Sequence, residues 1–385
     1  MKKKIFYIDP QSYNNLSIYD YSLLKGIEDC KITYYHNQQY QCEKIPNATH
    51  RKIFIYSQKR SKLSKSLSYI SSILSIAKDI MHEKPDIVHI QWLRLWICDF
   101  LFAIFLRITG CKLIFTAHNK LPHNPHRGDK TKYKFYYNIT SAIIVHTQRT
   151  KKELSQDFGI NEDKINVIPH GILDNNLTNE SVDVKCEELR KKLSIQSGDI
   201  VFSCLGYQYK YKGIGLVVDS WAKSERLHNN PHCHLLVVGK NRNVEKSVFD
   251  KARTFMNVFV LDEQLDDISF DAYLKLSSVI LLPYISISQS GLMFSAMCSN
   301  TPILVSDIGG LTDPLHYAKV GWCLGEPTLD NLTEKMEWLA DNPNEITSVM
   351  NDDNAFTHIR DVYSWGRISL ATCQLYTRLS GKNME

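Results

Sequence analysis

Short apolar runs separated by longer amphipathic stretches recur along the whole of this 385-residue chain, and few architectures produce that rhythm. It is the pattern of strands alternating with helices in parallel sheets. In the first half the runs are Ile5 to Ile8, Lys52 to Tyr56, Ile87 to Ile90, Leu113 to Thr116, Ala142 to His146 and Asn166 to Ile168. In the second half they are Val201 to Leu205, His234 to Val238, Val258 to Leu261, Val279 to Leu282 and Ile303 to Val305. Each half can build its own sheet, and the length is that of two domains rather than one. The fold class expected is α/β.

The polar stretch from Asp174 to Cys186, rich in Asn, Ser and Asp, lies between the two series and predicts the hinge,. It divides the chain into residues 1–173 and 174–360. Residues 361–385 form a last helix, in which Trp365, Ile368, Leu375 and Tyr376 are spaced to pack across both domains, returning toward the N-terminal one.

Composition narrows the class. Hydrophobic residues make up 43% and charged residues 23%, which is ordinary globular usage,. The ten cysteines are scattered without a CxxC pair, so neither a zinc knuckle nor a disulfide framework is indicated and a reducing compartment fits,. After Lys2, Lys3 and Lys4 the apolar run is too short for a signal peptide and reads as a first strand. The stretch from Leu93 to Thr109 is interrupted by Arg94, Asp99 and Arg107 and is short of a bilayer span, so it reads as a buried helix,. A cytoplasmic protein is expected.

The net charge of +5 conceals an asymmetry: residues 1–170 carry 26 Lys and Arg against 14 Asp and Glu, about +12, and the remainder about −7,. Lys59, Arg60, Lys62 and Lys65 precede an apolar-periodic run from Leu67 to Ile80. Such a helix can lie on anionic lipid at the inner face of a membrane or simply present a solvated face. Nucleic acid, the other usual partner of basic charge, is not indicated by any binding motif.

Ligands of open α/β sheets sit beyond the carboxyl ends of the strands, so residues just after each run are the ones to inspect. After Leu205 come Gly206 to Gly213, where glycine admits a ligand to the backbone and lysine offers a cation to a phosphate,. After Leu282 a loop through Gln289, Ser290 and Gly291 feeds a helix N-terminus, where free amides bind a diphosphate,. The next run ends in Asp307, Ile308, Gly309 and Gly310, a plain tight turn or a close backbone contact,. In the first half His118 follows a strand; read alone it is structural or, with imidazole donating to a phosphate or sugar hydroxyl, functional. His118, His123 and His126 have no accompanying carboxylates or thiolates, and no metal site is expected.

Taken in order, these segments resemble glycosyltransferase family 4 and its GT-B relatives of the bacterial polysaccharide and capsule type over nearly the whole chain. The matching stretches are Pro85 to Trp92, Thr116 to Asn119 with Pro122 and His123, Val167 to Ile172, Gly206 to Gly213, Leu236 to Gly239, Ser288 to Pro302 and Asp307 to Gly310. Each is degenerate alone, and the ordered set carries the resemblance.

The resemblance implies GT-B architecture, two Rossmann-like domains with parallel sheets facing across a cleft. It implies a UDP- or GDP-linked nucleotide-sugar donor held by residues 174–360, a glycan or polyprenyl-diphosphate-linked acceptor held by residues 1–173, no metal, and a retaining transfer. Lys212 looks like the lysine on the donor diphosphate and His118 like the histidine beside the transferring sugar. Gly206 and Lys210 join Lys212 in the donor set, with Tyr284, Gln289, Ser290, Gly291, Leu292 and Ser295 of the next loop and helix, then Gly309 and Gly310. Tyr13, Asn14 and Asn15 after the first strand, with His118, Asn119 and His123, form the expected acceptor side.

Two departures stand out. Many members carry two glutamates with seven residues between them where Ile287 and Ser295 stand here, and the arginine often found before the lysine is replaced by the neighbourhood of Tyr209 and Lys210. In a retaining transfer the leaving phosphate can take the acceptor proton; an inverting transfer needs a base, for which Asp9, His118 and His123 are the choices. A non-catalytic sugar-binding relative is the third reading.

Overall fold

A computed structural model describes residues 2–13, 15–55, 61–122, 126–172, 180–287 and 289–381. The chain divides into two compact units, Met1–Gly171 with Tyr363–Glu385, and Ile172–Val362.

In the first unit the order is β1 (Lys3–Asp9), α1 (Asn15–Lys25), β2 (Cys30–Asn37), β3 (Ala48–Phe54), α2 (Lys62–Glu83), β4 (Ile87–Ile90) and α3 (Trp96–Ile108). It continues with β5 (Lys112–Thr116), α4 (Asp129–Ile139), β6 (Ala142–Val145), α5 (Gln148–Phe158) and β7 (Ile165–Val167). All seven strands pair in parallel in the order β3-β2-β1-β4-β5-β6-β7. The order reverses between β1 and β4, and such a switch point opens a crevice at the carboxyl ends. Helices α2, α3 and α4 cover one face through Ile73, Ile76, Phe102, Leu106 and Tyr136.

The second unit runs α6 (Glu180–Lys192), β8 (Ile200–Leu205), α7 (Ile214–Lys223), α8 (Glu225–His228), β9 (Cys233–Val238), α9 (Lys246–Ala252), β10 (Val258–Leu261) and α10 (Asp267–Leu276). Then come β11 (Val279–Leu282), α11 (Gly291–Cys298), β12 (Ile303–Ser306), β13 (Gly321–Gly325), α12 (Leu329–Asp341), α13 (Pro343–Met350) and α14 (Asp353–Val362). Its six parallel strands lie in the order β10-β9-β8-β11-β12-β13, with the switch between β8 and β11. The last helix, α15 (Trp365–Ser380), packs in the first unit: Ser369 donates to the Leu23 carbonyl at 2.7 Å, and Trp365 lies against Gly171, where a Cβ would come within 2.3 Å of its ring.

Three expectations need revision. Residues 180–186 of the expected linker are the opening turns of α6, because the acids Glu180 and Asp183 favour a helix start,. The stretch read as a buried helix is buried on one side only, with Ile97, Leu101 and Ile108 exposed. β2 and β13 had no counterpart among the predicted strands.

Candidate functional site

In the second unit four loops leaving the sheet at and beside its switch point are locked to one another. The exits of β8 and β9 touch: Gly239, at φ 134°, has no room for a Cβ, which would fall 2.0 Å from the Gly206 carbonyl oxygen. Buried Gln208 ties the same two exits by donating to the Cys204 and Val238 carbonyls at 3.1 and 3.0 Å. A short 3-10 turn, Lys210–Lys212, then ends at Gly213, whose φ of 75° starts α7 and whose Cβ would lie 2.3 Å from the Pro283 carbonyl of the β11 exit. The β12 exit joins through Ser306, whose hydroxyl donates to the Tyr284 carbonyl at 2.6 Å.

These locks place Lys212 Nζ 3.4 Å from the Leu205 carbonyl, 5.9 Å from the centre of the Tyr284 ring and 3.8 Å from the space a Cβ on Gly206 would fill. The Tyr284 hydroxyl lies 3.5 Å from the Ser290 hydroxyl. Ser290 caps α11 by accepting from the Met293 amide at 3.3 Å, and among the described residues nothing stands within 4 Å of the direction in which Gly291 would carry a side chain. A helix N-terminus, an open glycine and an ammonium thus border one space, a set of donors suited to a diphosphate. Burial pushes the Lys212 ammonium down to about 8,.

The remaining expected donor residues divide. Gln289, Leu292 and Ser295 are half-buried on and before α11, and Gly309, at φ 59°, and Gly310 form the β12 turn. The structure does not bring the Lys210 ammonium to this space: it is exposed and lies 3.7 Å from Glu245, while its amide donates to Asn243. Ser288 lies outside the described residues. A residue not foreseen is Arg242, stacked 4.2 Å over Tyr207 just beyond β9,; the strand-exit rule that singled out Lys212 applies to it equally.

In the first unit the strand exits carry a row of imidazoles. His118, two residues past β5, lies parallel to the Trp92 indole at 4.5 Å and an interplanar angle of 8°, with the edge of Tyr19 at 5.3 Å. Its Nδ1 is 3.1 Å from His146 Nε2, and His146 Nδ1 donates to the Ile168 carbonyl at 2.9 Å. Its Nε2 is 2.9 Å from the Gln91 carboxamide, which in turn reaches His89 and Thr116.

Protons can be counted along this row. A carbonyl only accepts, so His146 Nδ1 carries its hydrogen and Nε2 accepts from His118 Nδ1, which leaves His118 Nε2 without a hydrogen. Both rings stay neutral when the Gln91 amide turns its N–H toward His118, its oxygen then facing His89 Nε2 and the Thr116 hydroxyl at 3.0 and 3.2 Å,. Burial enforces neutrality: it holds His118 well below the usual imidazole range, with the neighbouring His146 and His170 adding to the effect, and pushes His146 down to about 3. His118 therefore offers a lone pair or a hydrogen bond, not a charge.

Asp9, at the end of β1, does not serve as an ionised base. It is buried against Asp20 of α1, and burial together with that neighbour raises it well above the carboxylate range, so the pair retains a proton,. Asp20 accepts from the Tyr7 and Tyr34 hydroxyls, both at 2.7 Å, and Tyr34 also bonds Ser12. Tyr13 and Asn119 are half-buried at the same edge of the sheet; Asn14, His123 and the Asn15 side chain lie outside the described residues. Gln91, His146 and His170 belong to this row and had been given no role, although each directly or closely follows a strand.

Two doubly wound parallel sheets with these carboxyl-end sites are the architecture of a GT-B glycosyltransferase. The chain superposes on a glycosyltransferase from Rickettsia africae with a TM-score of 0.70, 14% identity and coverage of 98% of each chain. An Anabaena protein crystallised in complex with UDP gives 0.69, 14% identity and coverage of 98% of this chain and 100% of that one. Residues 34–174 match Glycosyltransferase Family 4 and residues 185–354 match Glycosyl transferases group 1, so the chain belongs to the family-4-like GT-B glycosyltransferases. A glycosyltransferase of Methanocaldococcus jannaschii is 22% identical over 239 residues, and the match covers 61% of this chain and 59% of the relative's length.

Proposed function

We propose that the protein transfers a hexose-type sugar from a UDP- or GDP-linked donor to a glycan or polyprenyl-diphosphate-linked glycan, with retention of configuration. The observation that carries this reading is the convergence of Lys212, Tyr284 and the capped N-terminus of α11 on one space at the β8/β11 switch point.

As the bond from the sugar's anomeric carbon to the donor phosphate breaks, negative charge grows on the leaving diphosphate. Lys212 and the α11 amides meet that charge without reorganising. The acceptor oxygen bonds to the anomeric carbon and its proton passes to the leaving phosphate, so no ionised side-chain base is needed. That suits a first unit whose buried Asp9–Asp20 pair is raised toward retaining a proton and whose His118 is held toward the neutral form. A ligand hydroxyl that replaces Gln91 beside His118 would meet a ring nitrogen in place of the carboxamide. With an ammonium and helix amides on the diphosphate no metal is required, and EDTA should leave turnover unchanged.

Thermal stabilisation by UDP, GDP, ADP and their sugars tests the donor: a ligand at about 100 times its dissociation constant raises stability by about 2.7 kcal/mol. The anomeric configuration of the product tests retention. One observation favours a second reading, nucleotide binding without turnover: Ile287 and Ser295 stand where carboxylates would contact the donor. Stabilisation by a nucleotide with neither transfer nor donor hydrolysis would establish it.

A further inference from the structure

Both candidate sites lie at the carboxyl ends of strands, yet a cavity of about 530 Å³ opens at the opposite ends of β5, β6 and β7. Four cations line it, each from a different part of the chain. Arg107 comes from the last turn of α3, Lys112 from the start of β5, Lys164 from just before β7, and Arg378 from the last turn of α15. No carboxylate shares the lining, and among the described residues no ion pair joins any of the four to an acid. Leu113 and Ile139 add apolar wall.

Cations near the carbonyl ends of helices are ordinary, because they complement the helix dipole. That accounts for one of the four. The Lys164 ammonium donates to the Asn138 and Tyr137 carbonyls at the end of α4, at 2.7 and 3.4 Å. The end of α3 needs no such help: the Thr109 hydroxyl and the Thr109 and Cys111 amides already donate to the Phe105 and Leu106 carbonyls, and the Gly110 amide donates to that of Arg107. Arg378 donates to the Asn166 side chain rather than to a helix end. Asp86, close to Cys111, turns its carboxylate to the Lys4 amide at 3.0 Å. Burial and the neighbouring Arg107 charge both push the Lys164 ammonium below its ordinary range, so the cations repel one another across the cavity,. Folding gains nothing by gathering Arg107, Lys112 and Arg378 at one mouth, and a bound anion offsets their repulsion.

We infer that this cavity binds a small soluble anion with two or more phosphate charges, a pyrophosphate or a phosphate ester. Arg107 and Arg378 offer planar forks that match phosphate oxygens, and Lys112 offers a point charge. The ligand is not a reactant of the transfer. β5 is five residues long, about 16 Å, and His118 lies beyond its other end. Because Arg378 belongs to α15, a ligand held by all three cations ties that helix to α3 and β5 and stabilises the first unit. This inference is independent of sugar transfer.

Hydrogen exchange across a titration with inorganic pyrophosphate tests it. Exchange should slow in residues 107–113 and 139–141, separately from any change in residues 206–213 at the proposed donor loops, and rising salt should weaken the effect. The double variant Arg107→Gln with Lys112→Gln should need at least about tenfold more pyrophosphate to protect residues 107–113, the scale of losing charge-assisted hydrogen bonds. It should respond at residues 206–213 as the wild type does. Without ligand it should melt no lower than the wild type, because like charges have been removed. Unchanged exchange in residues 107–113 at saturating pyrophosphate would overturn the inference, as would undiminished protection in the double variant. A double variant that melts well below the wild type would show the cations to be structural and overturn it too. So would capture of the protein by phosphatidylglycerol vesicles that the double variant abolishes and pyrophosphate does not displace.

Discussion

Lys212 is the residue on which the proposed donor site turns, and its environment sets how it behaves. Its ammonium is held in a largely apolar surround beside Tyr284, and burial alone moves its pKa to about 8. Before a diphosphate binds, the charge is therefore lost as pH rises through about 8, and nucleoside diphosphate affinity should fall over that range. Lys212→Arg, always protonated, should flatten the profile in calorimetric titration. Lys212→Ala should lower kcat by roughly 100- to 1000-fold, about 2.7 to 4 kcal/mol, the usual cost of one donor to a developing anion. In the proposed reaction His118 acts on the other reactant: His118→Ala should cost about 100-fold in turnover while nucleotide affinity, measured on the same protein, stays at the wild-type value. Both residues were legible because each follows a strand. His146 follows one equally, but its value lies in a hydrogen bond to His118 across 28 positions, which no local pattern displays.

At the scale of elements, the strands that could be read were those whose residues are apolar throughout, such as β6, β10 and β11. β2 escaped because its buried residues are polar: Thr33, Tyr34, Tyr35, His36 and Asn37 read as a surface segment. Their partners come from distant elements, Tyr34 with Asp20, Tyr35 with Asp79, His36 with His50 and Asn37 with the Pro10 carbonyl, and a polar strand is tolerated in the interior only once those bonds exist,. The Gly206-to-Gly213 segment could be recognised as a loop, but not the reason for its last glycine. Gly213 has a left-handed backbone and meets the Pro283 carbonyl, so any side chain there must part the β8 and β11 exits. Gly213→Ala should destabilise the second unit by about 1–3 kcal/mol and lower its melting temperature by roughly 2–4 °C for each of those kcal/mol. Nucleotide affinity should fall with it, because Lys212 sits next in the chain. Gly291→Ala, with no described residue within 4 Å, should melt as the wild type does and serves as the control.

For the molecule as a whole, the two units should answer acid differently. The charge imbalance between the halves was visible in the sequence, but their difference in buried imidazoles was not, because burial is a property of the fold. Burial lowers six histidines of the first unit: His36 to about 4, His89 and His146 to about 3, and His50, His118 and His170 in the same direction. A histidine whose folded pKa lies below its unfolded value, about 6.5, favours the native state above that value. It withdraws that stability as pH falls toward the folded pKa. Asp9, Asp20 and Asp99 work oppositely: raised in the fold, Asp99 to about 6, they ease folding as they gain protons, and so offset part of the loss. In the second unit Asp199, Asp262 and Asp266 are lowered instead, so their contribution is kept until pH falls below the ordinary carboxylate range. Asp271 and Asp313, raised by burial, gain protons earlier and favour that unit as acid is added. With six histidines against three carboxyls in the first unit, it should loosen between about pH 6.5 and 4 while the second holds. Hydrogen exchange would show amide protection falling in β1, β4, β5 and β6 before β8, β9 and β11; loss in the reverse order, or in both units together, would contradict the assignment of these histidines as buried and neutral.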